Sequence, residues 1–79
     1  MMRADQLRAG RALLRWSQQQ LADKAGVSVP TIKRLEAMDG ELEGHTNTIK
    51  SLRTALESGG VMLVESNGNG PGVRLREKP

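Results

Sequence analysis

The sequence predicts a mainly α-helical fold of four helices with a C-terminal β-hairpin. Apolar residues recur at spacings of three and four in successive segments, which is the pattern of amphipathic helices. The tail changes to two short strand-like runs separated by a glycine-rich stretch, which indicates a hairpin. We therefore divide the chain into a helical domain, residues 1–59, and a hairpin, residues 60–79.

The centre of the helical part is a pair of short helices joined by a glycine. Ser17 is a good N-cap, and Gln20 follows it at the spacing of a capping box. Gly26 ends the first helix, because glycine adopts a left-handed backbone without steric cost. Ser28 caps the second helix, and Pro30 lies in its first turn, where no amide hydrogen is needed. Two helices joined in this way form a helix-turn-helix unit.

These residues resemble the XRE family, the phage repressor and Cro type of helix-turn-helix proteins. The resemblance extends from roughly Leu7 to Leu56 and implies a repressor-like four-helix domain that binds double-stranded DNA. The matching positions are Trp16, Ser17, Gln18, Leu21, Ala22, Ala25, Gly26, Val27, Ser28, Thr31, Ile32, Leu35 and Glu36.

A further helix precedes this unit. It is predicted from about Asp5 to Arg15, with Leu7, Gly10 and Leu14 on its buried face. Gly10 is expected to allow close approach of a neighbouring helix. Residues 1–4 are expected to be loosely held, as chain termini often are.

The fourth helix is predicted to begin at a cap on Thr46 or Asn47 and to end at Gly59. Trp16 stands just before the Ser17 cap, where an apolar residue packs on the helix that it precedes. We therefore expect Trp16 to lie in the core. The alternative is an aromatic side chain that stacks on DNA or binds a partner.

The resemblance implies that the helix from Val29 to Ala37, the recognition helix, lies in the major groove of duplex DNA. Its outward residues would meet the base edges, and they are Val29, Pro30, Lys33 and Arg34. Arg34 is the main candidate for base recognition, because arginine can donate two hydrogen bonds to guanine. Lys33 is a candidate for guanine or phosphate. Val29 and Pro30 have no polar head group and are expected to contact thymine methyl groups.

Contacts to the DNA phosphates are expected to fix the position of this helix on the duplex. The candidates are short polar or basic residues around the two helices and at the start of the fourth: Gln18, Ser28, Thr31, His45, Asn47, Thr48 and Lys50. The alternative for each is an ordinary solvated side chain. For Ser28 the capping role alone explains the residue.

The resemblance also implies an ion pair between Arg11 in the first helix and Glu36 at the end of the recognition helix. We expect this pair to be half-buried and bidentate. The alternative is two solvated charges, which contribute little to stability.

The tail reads as two strands, Val61 to Val64 and Val73 to Arg76, joined by a turn-rich loop. A lone hairpin is marginally stable in water, so it must pack on the helices or on another chain. One hypothesis is that it builds a dimer, through edge pairing or through an apolar face made by Val61, Leu63, Val73 and Leu75. The alternative is that this face covers the helices of its own chain.

Composition limits the remaining function classes. The chain has no cysteine and one histidine, so no metal site and no cofactor are expected. Its single aromatic residue argues against single-stranded nucleic acid, which binds on several stacked aromatic rings. The glycine-rich loop lacks the lysine and the following helix of a phosphate-binding loop, so an enzyme is not expected. No apolar run is long enough to span a membrane, and we expect a cytoplasmic protein.

The sequence therefore predicts a sequence-specific regulator of transcription, a repressor that binds a double-stranded DNA operator as a homodimer. The net charge of +3 agrees with this but does not establish it. One alternative is an antitoxin that binds DNA and also a toxin through the hairpin. Another is an adaptor that binds a protein partner and no DNA.

Overall fold

A computed structural model describes residues 2–77 of the chain. Its elements in chain order are α1 (Ala4–Leu13), α2 (Gln18–Ala25), α3 (Val29–Glu36), α4 (Thr46–Gly59), β1 (Val61–Val64) and β2 (Gly72–Leu75). The predicted mainly α-helical fold with a C-terminal antiparallel hairpin is confirmed. Among these residues, no helix is long and apolar enough to cross a membrane. Met1, Lys78 and Pro79, which the two predicted domains include, lie outside the described residues.

The turn between α2 and α3 forms as its capping residues predict. Ser17 Oγ accepts a hydrogen bond from the Gln20 amide at 3.0 Å, and the Gln20 side chain accepts one from the Ser17 amide at 2.8 Å. Gly26 has a left-handed backbone with a φ of +69° and ends α2. Ser28 Oγ accepts the amide hydrogen of Thr31 at the start of α3. Two separate helices therefore meet at this turn.

The end of α1 lies at Leu13, earlier than the predicted Arg15. Arg15 adopts a left-handed backbone with a φ of +58°. The amides of Arg15 and Trp16 donate to the carbonyl oxygens of Ala12 and Arg11, at 3.0 and 3.1 Å, which is the Schellman pattern of helix termination. Arginine seldom adopts this conformation, so the sequence contains no signal for it.

The N-terminal segment is held more firmly than expected. Met2 is fully buried, and its carbonyl oxygen accepts a hydrogen bond from the Leu42 amide at 3.0 Å. The Ala4 amide donates to the Gly40 carbonyl oxygen at 2.9 Å. This segment therefore pairs with the loop that follows α3. The expectation that residues 1–4 are loose is wrong for those that the structure describes.

One hydrophobic core joins the helices and the hairpin. The core contains Met2, Ala4, Leu7, Leu21, Ala22, Ile32, Leu35, Leu42, Ile49, Leu52, Ala55, Leu56 and Val61. Gly10 lets α1 approach α4 as predicted, since a Cβ atom there would lie only 3.1 Å from Leu56 Cδ1. Trp16 is half-buried and packs on the core, and Lys24 Nζ lies 5.4 Å from the centre of its ring.

The hairpin packs on α1 and α4. A buried glutamine fastens it to α1: Gln6 Nε2 donates to the carbonyl oxygens of Val64 and Gly72, at 3.2 and 3.1 Å. Because one side chain bonds both strands, it holds the loop end of the hairpin against the start of α1. The position of Gln6 in a helix gave no indication of this contact.

The four residues predicted at a dimer interface share one face of the hairpin, because Val61 lies opposite Leu75 and Leu63 lies opposite Val73. Val61 is 1% exposed, and Leu63 and Val73 are half-buried against the same core. Leu75 is 49% exposed. The Val61 side chain is therefore not free for the predicted contact through this apolar face, because it is already buried within its own chain. This face of the hairpin covers the helices.

Candidate nucleic-acid interface

The predicted recognition helix is α3, which is buried on one side and exposed on the other. Ile32 and Leu35 are 0% and 1% exposed. Lys33 and Arg34 are exposed. Within residues 2–77, neither of these two basic side chains forms a hydrogen bond or an ion pair. The outward side of α3 therefore presents two positive charges that no acidic group of the described chain neutralises by contact.

The two apolar candidates at the start of α3 differ in exposure. Pro30 is exposed, whereas Val29 is half-buried and packs against the core. Val29 lies three residues before Ile32, so a helical backbone turns both toward the same inner side. The expectation that Val29 points fully outward is therefore corrected, and only part of its side chain can reach a ligand.

The C-terminal end of α3 is anchored to α1 and α2 through Glu36. Arg11 Nε and Nη2 donate to the two carboxylate oxygens of Glu36 at 2.7 and 3.0 Å, so the predicted pair is present and bidentate. Gln18 Nε2 donates to Glu36 Oε1 at 3.0 Å. The Arg8 side chain donates to the backbone carbonyl oxygen of Glu36. We call these four residues the Glu36 anchor.

The charges in the Glu36 anchor support one another. Burial alone would raise the pKa of Glu36, but hydrogen bonds from Arg11 and Gln18 and the charges of Arg11 and Arg8 together lower it below its ordinary value. The hydrogen bond with Glu36 raises the pKa of Arg11. Both groups are therefore ionised at neutral pH, and α3 is held in one orientation.

Three of the phosphate candidates make hydrogen bonds within the protein. Gln18 is half-buried, and one of the hydrogens of its amide nitrogen is used by Glu36. Ser28 Oγ lies 2.8 Å from Thr31 Oγ1 and also accepts the Thr31 amide hydrogen. Ser28 thus has the capping role that was its alternative explanation, although its side chain stays exposed.

The remaining phosphate candidates lie at the start of α4. His45 is the N-cap residue, so the predicted cap at Thr46 or Asn47 is wrong. The His45 side chain makes no capping hydrogen bond, and the first amides of α4 are left for an external acceptor. Thr48 is half-buried, whereas Asn47 and Lys50 are exposed and line an open groove between α2 and α4.

Comparison with known protein families agrees with this geometry. A family model described as helix-turn-helix matches residues 7–46, which is more than half of the chain. The match spans most of α1, all of α2 and α3, and the loop that leads to α4. No curated protein matches the chain.

Proposed function

Because the chain belongs to the XRE-type helix-turn-helix family of DNA-binding regulators, we propose that it is a transcriptional repressor that binds a double-stranded operator as a homodimer. In this mechanism α3 enters the major groove and its exposed side meets the base edges. The observation that carries the proposal is the pair of exposed basic residues, Lys33 and Arg34, on a helix held from behind by Ile32 and Leu35.

Base recognition is assigned mainly to Arg34. Two parallel hydrogen bonds from its guanidinium group to guanine would discriminate against another base by about 1–3 kcal/mol. Lys33 would bind a guanine or a phosphate as a single charge. Pro30 and the exposed part of Val29 would contact thymine methyl groups. These apolar contacts would recognise the shape of the base edge without hydrogen bonds.

Phosphate binding is assigned to helix N-termini and to the side chains around them. The free amides in the first turns of α2 and α4 attract anions, because the helix dipole places partial positive charge there. Lys50, Asn47 and His45 are exposed near the start of α4 and would add contacts to the same strand of phosphates. These contacts position α3 and carry no sequence information.

The decisive experiment compares two alanine variants on an operator selected from random duplexes. Arg34→Ala should weaken binding by about 1–3 kcal/mol and relax the preference at one base position. Lys50→Ala should weaken binding to all sequences alike and reduce the slope of log affinity against log salt by about 1. Fluorescence anisotropy at several salt concentrations measures both effects.

A matched control is Arg74→Ala, which removes the same charge from an exposed position on β2, away from α3. We expect it to retain the base preference of the unmodified chain. If Arg34→Ala leaves the affinity and the preference unchanged, the assignment of α3 as the recognition helix is wrong. If Arg34→Ala and Arg74→Ala lose the same affinity for DNA, Arg34 contributes only through the net charge of the chain.

Repression would follow from occupancy, since a dimer bound across a promoter excludes other proteins from it. A two-fold symmetric dimer would bind two half-sites about one helical turn apart, roughly 34 Å. A reporter gene placed behind the selected operator should be expressed less when the protein is present. An increase in expression would contradict repression but not DNA binding.

A further inference from the structure

The outer edge of β1 carries backbone groups that the hairpin itself does not use. The Arg76 amide donates to the Gly60 carbonyl oxygen at 2.7 Å, so Gly60 and Arg76 form a hydrogen-bonded pair. In an antiparallel ladder, hydrogen-bonded and non-hydrogen-bonded pairs alternate along the strands. Met62 then bonds to β2, whereas the amide and carbonyl groups of Val61 and Leu63 point away from it. Among residues 2–77, these outward groups have no backbone partner outside the hairpin.

The two edges of the hairpin differ in charge. β1 consists of Val-Met-Leu-Val and carries no charge, and Met62 is 37% exposed. β2 carries the charged Arg74. Arg76, which follows β2, reaches instead to the groove beside β1, where its guanidinium group donates to the Glu57 carbonyl oxygen at 2.6 Å. Charged residues on an edge strand discourage pairing with another chain, whereas an uncharged apolar edge favours it. The edge suited to pairing is therefore that of β1.

Space for a further strand exists beside β1. An open groove runs between β1 and the last turns of α4, and it is lined by Thr54, Glu57, Ser58, Val61, Met62, Leu63 and Arg76. The outward backbone groups of β1 border this groove. An extended chain lying there would bond to them and cover Met62 at the same time.

We propose that the occupant of this groove is β1 of a second copy of the chain, paired antiparallel and centred on Met62. This arrangement is self-complementary, because Met62 lies opposite the partner's Met62 and the backbone of Val61 bonds to that of the partner's Leu63. The strand residues that come together are apolar, and no like charges lie opposite each other. The two hairpins become one four-stranded sheet in the order β2-β1-β1-β2.

The small size of the chain supports this occupant. A chain of 79 residues without cysteine gains limited stability from its own core, and pairing with a second copy adds to it. The contact uses the backbone of Val61 and leaves its buried side chain in place. The inference rests on the proposed homodimer, and it names β1 as the strand through which the two chains pair.

The first test uses a charge that favours the hairpin but opposes the dimer. In Met62→Glu the new carboxylate lies opposite Arg74 within the chain, and cross-strand pairs of opposite charge stabilise a hairpin. In the dimer it would meet the same carboxylate on the partner. Light scattering should show a mass of two chains for the unmodified protein and one for Met62→Glu. The control Leu75→Glu adds the same charge to β2 and should remain dimeric.

Two further measurements do not depend on a single variant. The double variant Met62→Lys with Arg74→Glu keeps an opposite-charge pair within the hairpin, and it and Met62→Glu should each be monomeric alone and dimeric when mixed. Because the chain has no cysteine, Met62→Cys introduces its only thiol. A non-hydrogen-bonded pair places Cα atoms about 4.5 Å apart, within the range of a disulfide. Mild oxidation should therefore link two chains faster in Met62→Cys than in Leu75→Cys.

The proposal is overturned if the unmodified chain is monomeric at all concentrations, or if Leu75→Glu dissociates while Met62→Glu does not. Faster cross-linking in Leu75→Cys would also overturn it. These measurements need no DNA, so a negative result would overturn the pairing through β1 without contradicting DNA binding through α3. Met62→Glu should still bind a single half-site through α3. If the folded, unmodified dimer binds no duplex, the proposed function fails while the dimer stands.

Discussion

The two ends of α3 are held in different ways. At the C-terminal end, Glu36 is 6% exposed and is bonded by side chains from α1 and α2. At the N-terminal end, Ser28 is exposed and caps the helix through Thr31, three residues along the chain. The hydrogen bonds at the C-terminal end are tertiary, and those at the N-terminal end are local.

This difference shows how a short helix can be exposed and yet fixed. α3 has eight residues, too few to be stable alone in water. Its order therefore comes from the buried side chains of Ile32 and Leu35 and from the Glu36 anchor. The first turn carries few tertiary bonds, so it is free to approach a ligand without losing contacts that hold the fold.

The largest effect is expected when the C-terminal end is released. Arg11→Ala leaves the Glu36 carboxylate buried without its bidentate partner, and breaking a buried ion pair costs about 3–5 kcal/mol. Arg11 is partly exposed, so we expect a loss near the lower limit, about 3 kcal/mol of the free energy of unfolding. Urea denaturation followed by circular dichroism measures it.

The control for this prediction is Arg3→Ala, which removes a surface ion pair with Asp5. The Arg3 and Asp5 side chains are 36% and 52% exposed, so solvent screens their charges and the loss should be much smaller. Equal losses in the two variants would contradict the view that the Glu36 anchor holds α3.

A smaller effect is expected when acid protonates the same carboxylate. The pKa of Glu36 is lower in the folded chain than the usual 4.5, so its contribution to stability is complete above that value. The contribution is lost as the pH falls through the lowered pKa of the folded state. The free energy of unfolding should decline from about pH 4.5 downward.

The variant Glu36→Gln isolates this contribution, because it removes the titrating group. Its decline in acid should be shallower than that of the unmodified chain. Asp5, whose pKa is lowered by its hydrogen bond with Arg3, supplies a second contribution of the same sign. Asp5→Asn should therefore keep most of the decline, and identical profiles for all three proteins would refute the assignment to Glu36.

The start of α3 was predictable from sequence because its determinants are local. Ser17, Gly26 and Ser28 each act within one helical turn, so their positions alone place α2, the turn and α3. The pair of Arg11 and Glu36 joins residues that are 25 positions apart. It was expected from the family resemblance, and no local pattern indicates it.

Contacts between distant segments could not be predicted in this way. The alternating pattern of the tail shows that one face of the hairpin is apolar, but it does not show which surface covers that face. Val61 was therefore placed in a dimer contact, although its side chain completes the core of its own chain. The positions of Met2 beside Leu42 and of Gln6 beside the hairpin depend on the same long-range geometry.

The smallest effect is expected at the N-terminal end of α3. Ser28→Ala removes the cap, which costs about 1 kcal/mol of the free energy of unfolding. Hydrogen exchange at the Thr31 amide should accelerate, because this amide then lacks its acceptor. Ser66→Ala, in the exposed hairpin loop, is the control and should change neither quantity. If Ser28→Ala destabilises the chain as much as Arg11→Ala, the first turn is held by tertiary contacts as well, and the two ends of α3 do not differ in the way that their hydrogen bonds indicate.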